Sequence, residues 1–275
     1  LSTCQQGQTG PHSHYAGYGS LAAALAGFYA LTGWPDREPS MIYGAYTDFV
    51  AHHFASAALL AALDHRRRTG EGQHVDLSQF EASLHFLAPA ILDFTVNGRV
   101  ADRRGNADDR AAPHNAFPCA GSDQWCVIAC EDDTEWQALC GAMGKPEWCG
   151  RPDFAMPEAR RGNTEELDRL IGRWTIAEGA LARRLQRLGI PAGVVQSCAD
   201  LHKDPQLAAR GAFQWLEHPE IGRAPYEAWP FRFSGTPGRL RRAPCLGEHT
   251  QEVLGELLGM SGPEVHQLIT EGVLR

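Results

Sequence analysis

Apolar residues crowd into one uninterrupted stretch. From Phe49 to Arg68 the chain holds neither Pro nor Gly, and Ala55 to Leu63 is almost wholly apolar. This pattern predicts a long helix, and a helix apolar on every side predicts burial. Its far end carries His65, Arg66, Arg67 and Arg68, cations placed where the helix dipole favours them, with Gly70 positioned as a left-handed cap. At its start Thr47 or Asp48 offers the side-chain oxygen that bare helical N–H groups need.

Around this helix the pattern alternates between layers. Residues 1 to 15 read as loop, a small-residue helix runs from about Gly17 to Leu31, and Gln73 to Leu77 reads as a short strand. Ser78 then caps a helix reaching Asp93. Polar and charged residues from Asn97 to Ala112 predict a linker. Beyond it come a strand at Trp125 to Cys130, helices near Thr134–Met143, Glu165–Trp174 and Gly179–Leu188, and a strand at Ile190 to Gln196. Pro205 to Arg242 reads as extended, and two helices close the chain near 251–258 and 263–271. The expected organisation is residues 1–96 as part of a large lobe, 97–114 as linker, 115–198 as a small α+β lobe, and 199–275 as a return segment with terminal helices. Helix, strand and helix in succession predict an α/β layer structure.

The 275 residues suffice for a sizeable core, and 43% hydrophobic with 21% charged residues is the composition of a globular protein. A net charge of −8 argues against nucleic acid as a partner. No apolar run is long enough to span a membrane, and no signal-peptide pattern opens the chain, so a cytoplasmic location is expected. None of the eight cysteines forms a Cys-x-x-Cys pair; reduced thiols, several of them buried, and no metal are expected. The sequence opens on Leu1 and runs straight into a Gln/Gly-rich segment, which reads as the inside of a longer protein.

Four motifs stand in order: Gly7-Gln8-Thr9-Gly10-Pro11; Tyr46-Thr47-Asp48 with the run from Leu60 to Gln73; Gly189-Ile190-Pro191-Ala192-Gly193 with Asp204-Pro205-Gln206-Leu207; and Ala243-Pro244-Cys245-Leu246-Gly247-Glu248-His249-Thr250. With Lys145-Pro146-Glu147-Trp148 they resemble the family III CoA-transferases, the group of formyl-CoA and carnitine CoA-transferases. The resemblance covers essentially the whole chain. It implies an α/β fold with a Rossmann-like large lobe, incomplete here, a smaller α+β lobe, and two monomers interlocked like chain links. The family's first, CoA-binding half has no counterpart here, so the resemblance calls for a longer chain or a partner polypeptide to supply it.

The resemblance also implies a chemistry. It makes Asp48 the nucleophile, an acyl-CoA and a small carboxylic acid the substrates, and a CoA thioester the only cofactor-like group. Gln79 falls where the family lines the thiol end of CoA, and Tyr18, Arg104 and His114 are further candidate contacts to it. The segment from Arg104 to Asn115 resembles the family's loop over the active site but lacks the Gly-rich run of formyl-CoA transferase, which counts against oxalate and formate. An aspartate of ordinary acidity, near 3.9, is ionised at neutral pH and needs no general base. A helix cap remains the plainer role for Asp48. Asp64 and Asp76 read as structural, His52 and His53 as satisfied core histidines.

Two rivals stand beside this reading. An α-methylacyl-CoA racemase shares the fold but needs an acid/base pair that includes histidine. Where that pattern has His, this chain has Tyr18 in Ala16-Gly17-Tyr18. A non-catalytic subunit or fragment of a CoA-transferase is the other.

Overall fold

The computed structural model describes residues 1–274. They fall into two compact units, Leu1–Val194 and a second starting at Val195.

The first unit opens on β1 (Ser2–Cys4), in a stretch expected to be loop, which pairs in parallel with β2 (Asp76–Ser78). Parallel pairing requires a crossover, and the helices between supply it. The expected single helix from Gly17 to Leu31 is two: α1 (Gly19–Ala26) and α2 (Phe28–Leu31), broken at Gly27, whose φ of 99° suits glycine alone. Then comes the long helix, α3 (Tyr46–Thr69), closed by Gly70 in the left-handed conformation. Ser78 accepts the Glu81 N–H and so starts α4 (Gln79–Leu84), as its sequence position predicts. A 3-10 turn at His85–Leu87 and Pro89 separate α4 from α5 (Ala88–Asn97), so the expected helix to Asp93 is divided. A small core of Ala23, Ala26 and Phe28 packs with Tyr46, Phe80 and Leu84, the Phe28 and Tyr46 rings meeting edge-on at 5.0 Å.

Burial of α3 departs from the expectation. Among the described residues only Thr47, Val50, Ala51 and Ala55 of this helix are buried, while Leu59, Leu60 and Leu63 stand in the open, Leu60 at 67%. A helix buries what its neighbours cover, and α1 and α4 cover its beginning. His52 and His53, expected in the core, are exposed with their rings 4.0 Å apart.

The expected linker folds back on α2: Gly105 N–H donates to the Gly33 carbonyl and Arg103 to that of Ala30. A larger core follows. Strands β3 (His114–Pro118), β4 (Trp125–Ala129) and β5 (Ala192–Val194) form an antiparallel sheet in that order. Against it pack α6 (Asp133–Ala142), α7 (Pro152–Ala155), α8 (Pro157–Gly162), α9 (Thr164–Thr175) and α10 (Leu181–Arg187), burying Phe117, Ile128, Trp136, Leu139, Phe154 and Leu185. The buried residues of α9, Leu167, Ile171 and Thr175, recur every fourth position and mark its inward stripe. Arg160 is buried too, its guanidinium held by Asp133 at 2.7 Å and by the carbonyls of Ala112 and Phe154.

The second unit begins with α11 (Cys198–Leu201) and α12 (Pro205–Arg210), the latter capped by Asp204. The stretch expected to be extended therefore holds a helix, followed by the hairpin β6 (Phe213–His218) and β7 (Gly222–Glu227). A π-helical turn at Glu252–Leu257 and α13 (Gly262–Thr270) close it. No described helix is long and apolar enough to cross a membrane.

Two measurements follow from this packing. Arg160→Ala leaves the Ala112 and Phe154 carbonyls without their donor inside the core, and its cost of about 1–3 kcal/mol for each carbonyl will appear as a lower urea midpoint. Burial raises the Cys126 thiol to about 11 and the Cys130 thiol to about 12, whereas Cys198 is exposed. Iodoacetamide at neutral pH will thus label Cys198 first, with Cys126 and Cys130 modified only on unfolding.

Candidate active site

The start of α3 sits against the start of α1. Neither Thr47 nor Asp48 caps α3: the cap position is Ala45, with no side-chain bond, and the buried Thr47 hydroxyl instead donates to the Gly19 carbonyl at 2.8 Å. That bond, worth about 1 kcal/mol, joins the two helices. Asp48 is the third residue of α3, in the turn where the helix dipole favours a carboxylate. It is exposed, and among the described residues no cation pairs with it. Its carboxylate lies so close to Gly19 that a Cβ there would stand 2.6 Å from Oδ2 and 2.7 Å from Cγ.

Two amides complete the arrangement. The Gln5 Nε2 donates to Gln79 Oε1 at 2.6 Å and reaches Asp48 Oδ1 at 3.4 Å. Gln5 follows β1, and its carbonyl accepts the N–H of Phe80 in the first turn of α4, so Gln5 and Gln79 are held together by backbone as well as side chain. Tyr18 directly precedes Gly19, with its ring 82% exposed.

Arg104 and His114 belong to a different place. They line a cavity of about 650 Å³ with Trp34, Arg37, Asn115 and Asp168, and among the described residues no hydrogen bond or ion pair joins either to Asp48. Arg104 is engaged by Asp109 at 2.7 Å, which holds its guanidinium charge more firmly. The His114 Nδ1 lies 2.6 Å from the Asn106 carbonyl, which can only accept, so that nitrogen carries the proton. Asn115 ties Asn106 to Asp168, and burial raises the Asp168 carboxyl above its ordinary range. Of the five residues expected in the site, Asp48, Gln79 and Tyr18 thus gather at the α1–α3–α4 junction, and Arg104 and His114 line the cavity with Asp168. Asp76 accepts the backbone N–H of Gln8 and Asp64 pairs with Arg68. Among the described residues no cluster of His, Cys, Asp and Glu is arranged to hold a metal ion.

Sequence reasoning missed Gln5 and Gly19. Gln5 gave no signal, since its importance comes from the pairing of β1 with β2. Gly19 carried a weak one, a glycine at the start of an otherwise alanine-rich helix.

The chain matches CoA-transferase family III over residues 1–250 and belongs to that family. It is 35% identical over 271 residues to the succinyl-CoA–D-citramalate CoA-transferase of Chloroflexus aurantiacus, covering 98% of this chain and 67% of that enzyme. The succinyl-CoA–L-malate CoA-transferase alpha subunit of the same organism is 30% identical over 98% of this chain and 63% of its own length. Among solved structures, that of a CAIB/BAIF family protein from Brucella suis superposes with a TM-score of 0.84 at 32% identity, covering 93% of this chain and 66% of that one. The mixed α/β fold is therefore that of the family, and the chain spans about two thirds of the length of these relatives.

Gly19→Ala tests the close approach. The new methyl group meets the Asp48 carboxylate and, at 2.8 Å, the Cβ of Ala45, so the α1–α3 junction must open. The expected result is a loss of stability of about 1–3 kcal/mol, the usual cost of overpacking, read as a lower urea midpoint for the variant than for the wild type.

Proposed function

We propose that this protein transfers CoA from an acyl-CoA donor to a carboxylic acid acceptor, with Asp48 as the nucleophile. The observation that carries the reading is that Asp48 does none of the structural work open to a carboxylate at a helix start. It caps nothing, pairs with no cation among the described residues, and stands exposed against a glycine. Membership of the family supports the same assignment.

The steps balance without ATP or metal. An oxygen of Asp48 attacks the thioester carbonyl of the donor, and the C–S bond breaks to give a mixed anhydride and CoA thiolate. The thiolate then attacks the Asp48 carbonyl, releasing the donor acid and leaving an aspartyl-CoA thioester. The acceptor carboxylate repeats the sequence in reverse, regenerating Asp48 and forming the new acyl-CoA. One thioester replaces another, so the exchange is nearly even in energy. Each tetrahedral intermediate places negative charge on an oxygen, and a hydrogen-bond donor aimed at it is worth roughly 3 kcal/mol. Gln79, at the first position of α4, is the side chain proposed to face the thiol end of CoA, with Tyr18 beside it. Arg104 and His114 are proposed to hold substrate from the loop that follows α5. The side chain hydrogen-bonded to Asp48 is the Gln5 amide, which does not titrate.

Succinyl-CoA as donor and a hydroxylated dicarboxylic acid as acceptor are proposed from the names of the two Chloroflexus relatives. The exposed apolar residues of α3 and α5, Leu60, Leu92, Phe94 and Val96 among them, support an assembly in which a second copy, interlocked, or a partner chain covers these helices. One relative is itself an alpha subunit. The proposed setting is cytoplasmic.

Asp48→Asn keeps the shape and removes the nucleophile. The expected outcome is loss of succinyl-CoA exchange by at least about a thousandfold, with hydroxylamine forming a hydroxamate on Asp48 in the wild-type protein alone. Exchange at wild-type rates by the Asn variant would remove Asp48 from the mechanism.

A further inference from the structure

We propose that Gln5 is a positioning residue for the transfer, fixing the direction of the Asp48 carboxylate and leaving Gln79 with only its NH2 group to offer a substrate. The inference rests on Asp48 being the nucleophile and adds the group that aims it. One Gln5 nitrogen serves two acceptors, Gln79 Oε1 at 2.6 Å and Asp48 Oδ1 at 3.4 Å, and two hydrogens are available for the two bonds. Both acceptors lie in the first turn of a helix, Asp48 in α3 and Gln79 in α4, so a single side chain links the two helix starts.

With Gln79 placed as it is, the Gln5 amide has one workable orientation. Turned over, it would set its own oxygen against the Gln79 oxygen and the Asp48 carboxylate, three acceptors with no proton between them. In the orientation present, Gln5 Oε1 is buried and has no hydrogen-bond partner among the described residues. Gly17 lies beside it: a Cβ there would stand 3.7 Å from that oxygen and 3.5 Å from Gln5 Cγ, in ordinary van der Waals contact. The fold thus leaves one buried carbonyl unsatisfied while the nitrogen of the same amide holds two groups at the reacting end of the site. Buried polar atoms without partners are uncommon, and functional sites are where they are kept.

The consequence for Gln79 follows from its inventory. Its oxygen faces Gln5, so the end turned away from Gln5 is the NH2 group with its two N–H donors. A donor at this place suits the oxyanion of the thioester carbonyl while the anhydride forms, whereas an oxygen there would repel it. On the other side, Asp48 Oδ1 is drawn toward Gln5 while Oδ2 lies over Gly19.

The test compares the wild-type protein, Gln5→Leu, Gln5→Glu and Asp48→Asn in succinyl-CoA exchange, with far-UV circular dichroism and thermal melting to verify folding. Gln5→Leu keeps the bulk and removes the donor. It is expected to lower kcat at least about tenfold with the donor KM within about threefold, and to lower the share of Asp48 recovered as hydroxamate in a single turnover. Gln5→Glu places a second carboxylate beside Asp48, which favours the protonated form of each. The acid limb of kcat/KM is expected to move upward by about one pH unit, a shift that a purely structural role would not cause. Wild-type rates and pH profiles in both Gln5 variants, with Asp48→Asn inactive, would overturn the positioning role and leave the nucleophile standing. Full exchange by Asp48→Asn, or none by the wild-type protein, would bring down both.

Discussion

No side chain fits at position 19 while Asp48 stays where it is. The carboxylate of Asp48 occupies the space a Cβ would take, and the Thr47 hydroxyl, one residue earlier, donates to the carbonyl of the same glycine. Contact and hydrogen bond together fix the start of α3 on the start of α1. The α4 end of the junction follows from the parallel pair β1–β2, which brings Gln5 to the first turn of α4. Three chain segments that are distant in sequence therefore converge on one carboxylate, and each reaches it through a group local to its own helix start or strand end.

That convergence leaves the Asp48 carboxylate out of the capping of α3. Side-chain oxygens at a helix start are usually occupied by the N–H groups there. Here the start of α3 relies on the Ala45 carbonyl, which accepts the Asp48 N–H, and on Thr47 turning away toward α1. The carboxylate keeps the favourable field of the helix without giving its lone pairs to backbone donors.

Much of this was legible before the fold was known, because helix boundaries carry chemical marks. Gly70 closes α3, Ser78 opens α4, and the apolar run from Trp125 marks β4, each as its residue type dictates. What failed were inferences about neighbours. The apolar surface of α3 predicted burial, but a sequence states what a helix could bury and not what lies against it, and Leu60 is in the open. Ser2–Cys4 read as loop because three residues show no alternation, and only the partner Asp76–Ser78 makes them a strand. Asp48 drew attention through its motif, whereas Gln5 did not, since its contact with Gln79 spans 74 residues. Arg104 and His114 were grouped with Asp48 through the family resemblance, and they line a cavity with Asp168.

The account turns on a covalent bond between an acyl group and Asp48. If that bond forms, the acceptor must leave one of its carboxylate oxygens on Asp48 in each turnover. The direct measurement is exchange with an acceptor acid labelled with oxygen-18 in its carboxylate, followed by mass analysis of the peptide containing Asp48. A gain of about 2 Da, rising toward about 4 Da over repeated turnovers and located on Asp48, is the result predicted for attack by that carboxylate. Product acyl-CoA formed in quantity with no label on Asp48 would contradict it.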